Sequence, residues 1–119
     1  MKICVSSQGP DLTANVDPRF GRARFFIIKD EDTGQYEVVD NEQNVNAAGG
    51  AGIQAATTVA EKGCDWVISG HMGPKALSVL KEAGIRVATG ASGKISDALQ
   101  DFKNDDLEEI ESADVSPHW

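Results

Sequence analysis

A chain of 119 residues, 40% hydrophobic and 25% charged, is one domain by length and can bury a core without disulfides or a structural metal. Its formal charge of −8 excludes the electrostatic footprint of a nucleic-acid-binding protein, and no polybasic or amphipathic basic stretch suits a membrane surface. No apolar run approaches the roughly 20 residues that cross a bilayer, and Met1-Lys2-Ile3-Cys4 is too short to read as a signal peptide, so a cytoplasmic location is expected.

In chain order, residues 2–7 read as a buried strand. Residues 24–29 and 35–40 pair as an antiparallel hairpin around the turn cluster 30–34. Residues 41–50 are polar and Gly-rich and read as a loop. From Gly52 to Lys62, Ile53, Ala56, Thr57 and Ala60 recur at helical spacing, and Gly63 stops the helix. Residues 65–69 form a strand, and Gly73-Pro74 opens a second helix with proline in its first turn. Residues 85–89 form a fifth strand. Ser92 is the expected N-cap of a third helix, on which Ile95, Ala98, Leu99 and Phe102 repeat at i, i+3, i+4 and i+7. The order β-β-β-α-β-α-β-α predicts an α/β fold, a five-stranded mixed sheet with one antiparallel strand and helices on both faces.

The charge is uneven. Asp101, Asp105, Asp106, Glu108, Glu109, Glu111 and Asp114 face only Lys103 in the last stretch, so residues 1–104 are expected to form the folded domain and 105–119 an acidic tail, disordered or loosely packed. Cys4 and Cys64 lie in or beside strands, outside any CxxC pair, and read as reduced, buried thiols. With Cys4 in mid-strand, its side chain is not expected in a binding cleft.

Ligands of open α/β sheets sit beyond the carboxyl ends of the parallel strands. Four segments should gather there: 8–22, 49–52, 70–74 and 90–93. Arg19 and Arg22 flank Phe20-Gly21, and two such guanidinium groups suit an oxyanion or anionic cluster. Gly49, Gly50 and Gly52 precede a helix whose unpaired N–H groups attract negative charge. In Gly70-His71-Met72-Gly73-Pro74, an imidazole and a thioether stand together at a strand's carboxyl end, both neutral donors for soft or borderline metals. The other histidine, His118, is next to the end of the chain. There is no GxSxG, HExxH, P-loop or Cys–His signature, so no catalytic residues are assigned and the chain is not expected to be an enzyme.

Taken together, Val16-Asp17-Pro18-Arg19-Phe20-Gly21-Arg22-Ala23, Gly50-Ala51-Gly52-Ile53-Gln54-Ala55-Ala56, Ser69-Gly70, Gly73-Pro74, Ala83-Gly84-Ile85-Arg86-Val87 and Thr89-Gly90-Ala91-Ser92-Gly93 resemble, in order, the dinitrogenase iron–molybdenum cofactor biosynthesis family. Arg19 stands where the family commonly has His in its HFGRA motif. The resemblance is closest to the small stand-alone branch, which includes the orange protein of sulfate reducers. It implies a three-layer α/β/α, ribonuclease-H-like fold and a binding or carrier role. The implied ligand is a noncovalently held metal–sulfur cluster or precursor, of the iron–molybdenum or molybdenum–copper sulfide type. The implied partner is a cofactor-assembly or ATPase protein. On this reading Arg19, Phe20, Gly21, Arg22, Gly49, Gly50, Gly52 and Gly73 contact the cluster, and His71 and Met72 touch its metal. Two alternatives remain: an interaction module whose acidic tail docks a basic partner, and a divalent-metal-dependent hydrolase or nuclease.

Overall fold

The structure, a computed structural model, describes residues 1–115. His118 and Trp119 lie outside the described residues. Ten elements follow in order: β1 (Lys2–Ser7), β2 (Phe25–Asp30), β3 (Tyr36–Asp40), α1 (Glu42–Val45), α2 (Ala51–Glu61), β4 (Trp66–Ile68), α3 (Pro74–Glu82), β5 (Arg86–Thr89), α4 (Ile95–Lys103) and β6 (Glu108–Glu109). The strands form one mixed sheet in the order β3-β2-β1-β4-β5-β6. β1, β4 and β5 run parallel, while β2 is antiparallel to both its neighbours and β6 antiparallel to β5.

Alternation along the strands divides the apolar side chains between two faces. Cys4, Phe26, Ile28, Val67 and Val87 face α2 and α3, where Ala55, Ala56, Val59, Leu77 and Leu80 close the core. Ile3, Val5, Ile27 and Ile68 face α4, against Ile95, Ala98 and Leu99. The result is a layered α/β/α sandwich with two cores, one on each side of the sheet. Cys4 and Cys64 are free, buried and in the first of these. Burial, and then the hydrogen bond with Cys64, pushes the Cys4 thiol well up, so it stays protonated.

Three expectations are corrected. The sheet has six strands, two of them antiparallel to the parallel set, because the acidic segment supplies β6. The polarity of residues 105–115 concealed this, yet Leu107 packs on the α4 side and Ile110 on the α2–α3 side, as opposite faces of a strand require. Within the loop read at 41–50, Glu42–Val45 makes a single helical turn. Asn41, buried beneath it, donates from Nδ2 to the carbonyls of Gly21 and Ala23. The cap of α4 is Lys94 rather than Ser92, and no side chain bonds to its first turn.

β6 is held by a fork of two bonds: Arg86 Nε and Nη2 donate to Glu109 Oε2 and Oε1 at 2.7 and 2.6 Å. The same guanidinium lies 4.4 Å from the centre of the Trp66 ring. The bond to Arg86 holds the Glu109 carboxyl below the usual carboxylate range. A carboxylate depressed in the folded state stabilises above its unfolded pKa, and that contribution is lost as pH falls through the folded value. The amides of β6 should therefore lose hydrogen-exchange protection on acidification below about pH 4, before the amides of β1 do. Unchanged β6 protection factors at pH 3 would contradict this pairing.

Candidate functional site

A cleft of about 300 Å³ opens at the carboxyl edge of the sheet, within the range of small-molecule sites. Three segments build it: Phe20–Arg22 from the loop after β1, Ala48–Ile53 at the start of α2, and His71 and Gly73 after β4, with Lys75 and Ala76 of α3 completing the wall. The fourth expected segment, 90–93, lies elsewhere. It backs the first loop, with Val16 N–H donating to the Gly93 carbonyl at 2.8 Å and Ala91 buried on the α4 side.

Close backbone approach shapes the floor. A Cβ on Gly21 would come within 2.8 Å of both N and Cα of Gly52. The loop can therefore lie on the start of α2 only with glycine at position 21. Gly50, at φ 75°, caps α2 in a left-handed conformation that suits glycine, with no side chain bonding the first turn. The start of α2 lines the cleft, and its first N–H groups carry partial positive charge. Replacing Gly21 by Ala should cost about 1–3 kcal/mol through this backbone collision and widen the cleft. Urea unfolding checks it, and a loss below half a kcal/mol would show that the loop yields.

Phe20 is 2% exposed and joins cleft to core, its ring 5.0 Å from that of Phe26 and tilted by 38°. Arg22 lines the cleft while its Nη1 donates to the carbonyls of Ala47 at 2.7 Å and Val45 at 3.4 Å. It therefore fastens the 45–50 loop as well as carrying charge. Lys75, exposed in the first turn of α3, is a second cation on the cleft wall that the sequence did not single out. Among the described residues no carboxylate lines the cleft, so these residues of an acidic protein present a cationic recess.

Two placements are corrected. Met72 is completely buried among the residues facing α2 and α3 and does not line the cleft, so its sulfur is a core atom rather than an exposed donor. The cause is strand-like alternation. The stretch 70–72 pairs with 18–19, through His71 N–H to the Pro18 carbonyl at 2.9 Å and the Arg19–His71 bridge, so His71 turns outward and Met72 inward. Arg19 is exposed and stands outside the cleft lining. Its charge works on Asp17: burial pushes that carboxyl up, while the Arg19 N–H bond at 3.0 Å and the Arg19 charge oppose the rise. Of the ten expected contact residues, Phe20, Gly21, Arg22, Gly49, Gly50, Gly52, His71 and Gly73 meet around one cleft.

His71 is anchored from an unexpected direction. Its Nδ1 lies 3.0 Å from Oδ2 of Asp114, and Asp114 Oδ1 accepts the Met72 N–H at 2.7 Å. Cys4 is not among the lining residues. Among the described residues, no three His, Cys, Asp or Glu side chains gather to chelate a bare metal ion.

The family model described as dinitrogenase iron–molybdenum cofactor matches residues 1–105. The apo form of the orange protein of Desulfovibrio gigas superposes with a TM-score of 0.91 at 36% identity, covering 96% of each chain. A candidate NifB protein of the DUF35 family from Thermotoga superposes with a TM-score of 0.83 at 33% identity, covering 93% of this chain and 94% of that one. An uncharacterized protein of Methanocaldococcus jannaschii is 31% identical over 99 residues, 81% of this chain and 83% of its own length. On the family match and these likenesses, the chain belongs to the dinitrogenase iron–molybdenum cofactor family.

Proposed function

We propose that this protein carries a preassembled anionic metal–sulfur cluster as cargo in the carboxyl-edge cleft, without transforming it. The observation that carries the reading is the lining itself. Arg22, Lys75 and the start of α2 present positive charge, Phe20 and Ile53 present apolar surface, and no carboxylate is among the described lining residues. A bare divalent cation wants carboxylates, thiolates or several imidazoles. A thiometallate dianion, large and soft, wants the opposite set, and the cleft is of a size to receive one. His71 supplies one imidazole to a copper or iron at the cluster's edge. Among the cluster types the family suggests, a molybdenum–copper sulfide fits the likeness to the orange protein, and an iron–molybdenum precursor fits the family match. A cofactor-assembly protein, an ATPase among the choices, is the partner class for such a carrier. The strand order β3-β2-β1-β4-β5 with β2 antiparallel also supports a ribonuclease-H-like reading of the fold.

Calorimetric titration of the protein with tetrathiomolybdate, and separately with zinc and magnesium ions, tests the reading. The dianion is expected to bind at one site, more weakly as salt is raised, and the cations only feebly. A saturable zinc site tighter than the tetrathiomolybdate site would overturn it.

A further inference from the structure

The cleft is uneven in chemistry as well as in charge. Among the described residues that line it, Arg22, Lys75 and His71 have polar side chains, and the rest are glycine, alanine, phenylalanine and isoleucine. No serine, threonine, asparagine, glutamine or tyrosine is among them. Phe20 is 2% exposed, so its ring belongs mostly to the core. Ile53 differs. It stands in the first turn of α2 and is 42% exposed, while Ala51, Ala55, Ala56 and Val59 of the same helix are buried. The other large apolar residues of similar exposure, Met1, Tyr36 and Val38, do not line the cleft. Helical side chains lean toward the helix N-terminus, so Ile53 lies over the turn that begins at Gly50 and has no side-chain cap. Its neighbour one turn on, Thr57, donates its hydroxyl to the Ile53 carbonyl at 2.8 Å, which leaves the isoleucine as an apolar wall beside the N–H groups.

We propose that Ile53 is a specificity-determining residue of the cleft, selecting sulfur-clad anions over oxyanions of the same charge. The inference rests on the carrier reading and names what the cleft rejects. Charge alone does not discriminate: Arg22, Lys75 and the start of α2 attract molybdate and tetrathiomolybdate alike, since both are dianions. Hydration does. The oxygens of an oxyanion hold water tightly, and a site that strips that water must return hydrogen bonds for it. The guanidinium, the ammonium and the N–H groups return some, but the wall at Ile53 returns none. Sulfur is a weak hydrogen-bond acceptor and a polarizable atom, so it loses little against a methyl group and gains dispersion contact. The isoleucine surface stays wet until cargo covers it, and covering it favours the anion that is itself poorly hydrated. Removing the exposed part of one such side chain from water is worth about fivefold to tenfold in affinity.

Calorimetric titration of the full-length protein with tetrathiomolybdate and with molybdate, at one ionic strength in alkaline buffer, tests the assignment in wild type, Ile53→Ser and Ile53→Ala. Both ligands are tetrahedral dianions, so the ratio of their affinities cancels the charge of the cleft and any general weakening of it. Wild type is expected to prefer tetrathiomolybdate by about tenfold or more. In Ile53→Ser that preference should shrink about fivefold to tenfold, through weaker tetrathiomolybdate binding with molybdate binding little changed. Ile53→Ala should follow it most of the way, and because alanine is the strongest helix former that variant keeps α2 intact. Lys75→Glu should weaken both ligands and leave the ratio where it was. Equal binding of the two anions by wild type overturns the proposal and leaves the carrier reading standing, as does a ratio that neither Ile53 variant moves. A wild type that takes up molybdate alone, or neither anion, defeats the carrier reading and this assignment with it.

Discussion

Replacing Phe26 by Ala is expected to cost about 3–5 kcal/mol of stability, the usual loss for a fully buried aromatic ring, and to loosen the cleft in the same step. Among the described residues Phe26 is the bulkiest completely buried side chain, and it belongs to the face that α2 and α3 cover. Its ring also backs Phe20, whose own ring is both core and cleft wall. Removing it leaves a void that a three-layer sandwich cannot close without moving a helix, and it frees Phe20 to rotate out of the wall. A domain of this size has only about 5–15 kcal/mol in total, so the loss is a large share. Urea unfolding followed by far-ultraviolet dichroism measures it. A change under 1 kcal/mol would mean that the ring is not the wedge between sheet and helices that its burial indicates.

The second large effect falls on binding and spares the fold. Lys75→Glu reverses a charge on the cleft wall. An exposed lysine contributes about 1 kcal/mol per unit of opposing charge at short range, so turning its attraction for a dianion into an equal repulsion should remove about 4 kcal/mol, roughly a thousandfold in affinity. The substitution sits in the first turn of α3, where a carboxylate is favoured by the unpaired N–H groups. Stability should therefore hold or rise slightly while tetrathiomolybdate binding falls, and the deficit should shrink as ionic strength rises. Arg22 cannot serve for this purpose, because its bonds to Val45 and Ala47 make it part of the loop's structure. Parallel loss of stability and affinity in Lys75→Glu would count against an electrostatic role.

Local signals carried most of the fold and much of the cleft. The apolar spacing at Ile95, Ala98 and Leu99, the Gly73-Pro74 start of α3 and the apolar runs of β1 and β2 are short-range patterns, and each became the element it predicts. The glycines at 21, 49, 50 and 52 were legible as candidate cluster contacts, and the structure shows what three of them do: Gly21 meets Gly52, and Gly50 turns left-handed. Lys75 gave no signal, since one lysine in a helix's first turn looks like any solvated charge. Met72 misled because it neighbours His71 in sequence, while an extended backbone sends neighbours to opposite sides. β6 and Asp114 were hidden for a different reason. Seven acids against one lysine read as a solvated tail, and only the partners supplied from far away, Arg86 for Glu109 and the 71–72 backbone for Asp114, give those carboxylates a place.

The carrier reading is tested most directly by retention. Wild type and Lys75→Glu would be mixed anaerobically with tetrathiomolybdate and copper(I), passed through gel filtration, and examined by visible absorption and metal analysis of the protein peak. Wild type should emerge coloured, with molybdenum and copper in fixed proportion to protein, and Lys75→Glu should emerge largely stripped. A colourless wild-type peak, or equal retention by both proteins, would contradict a cluster held by the cationic cleft.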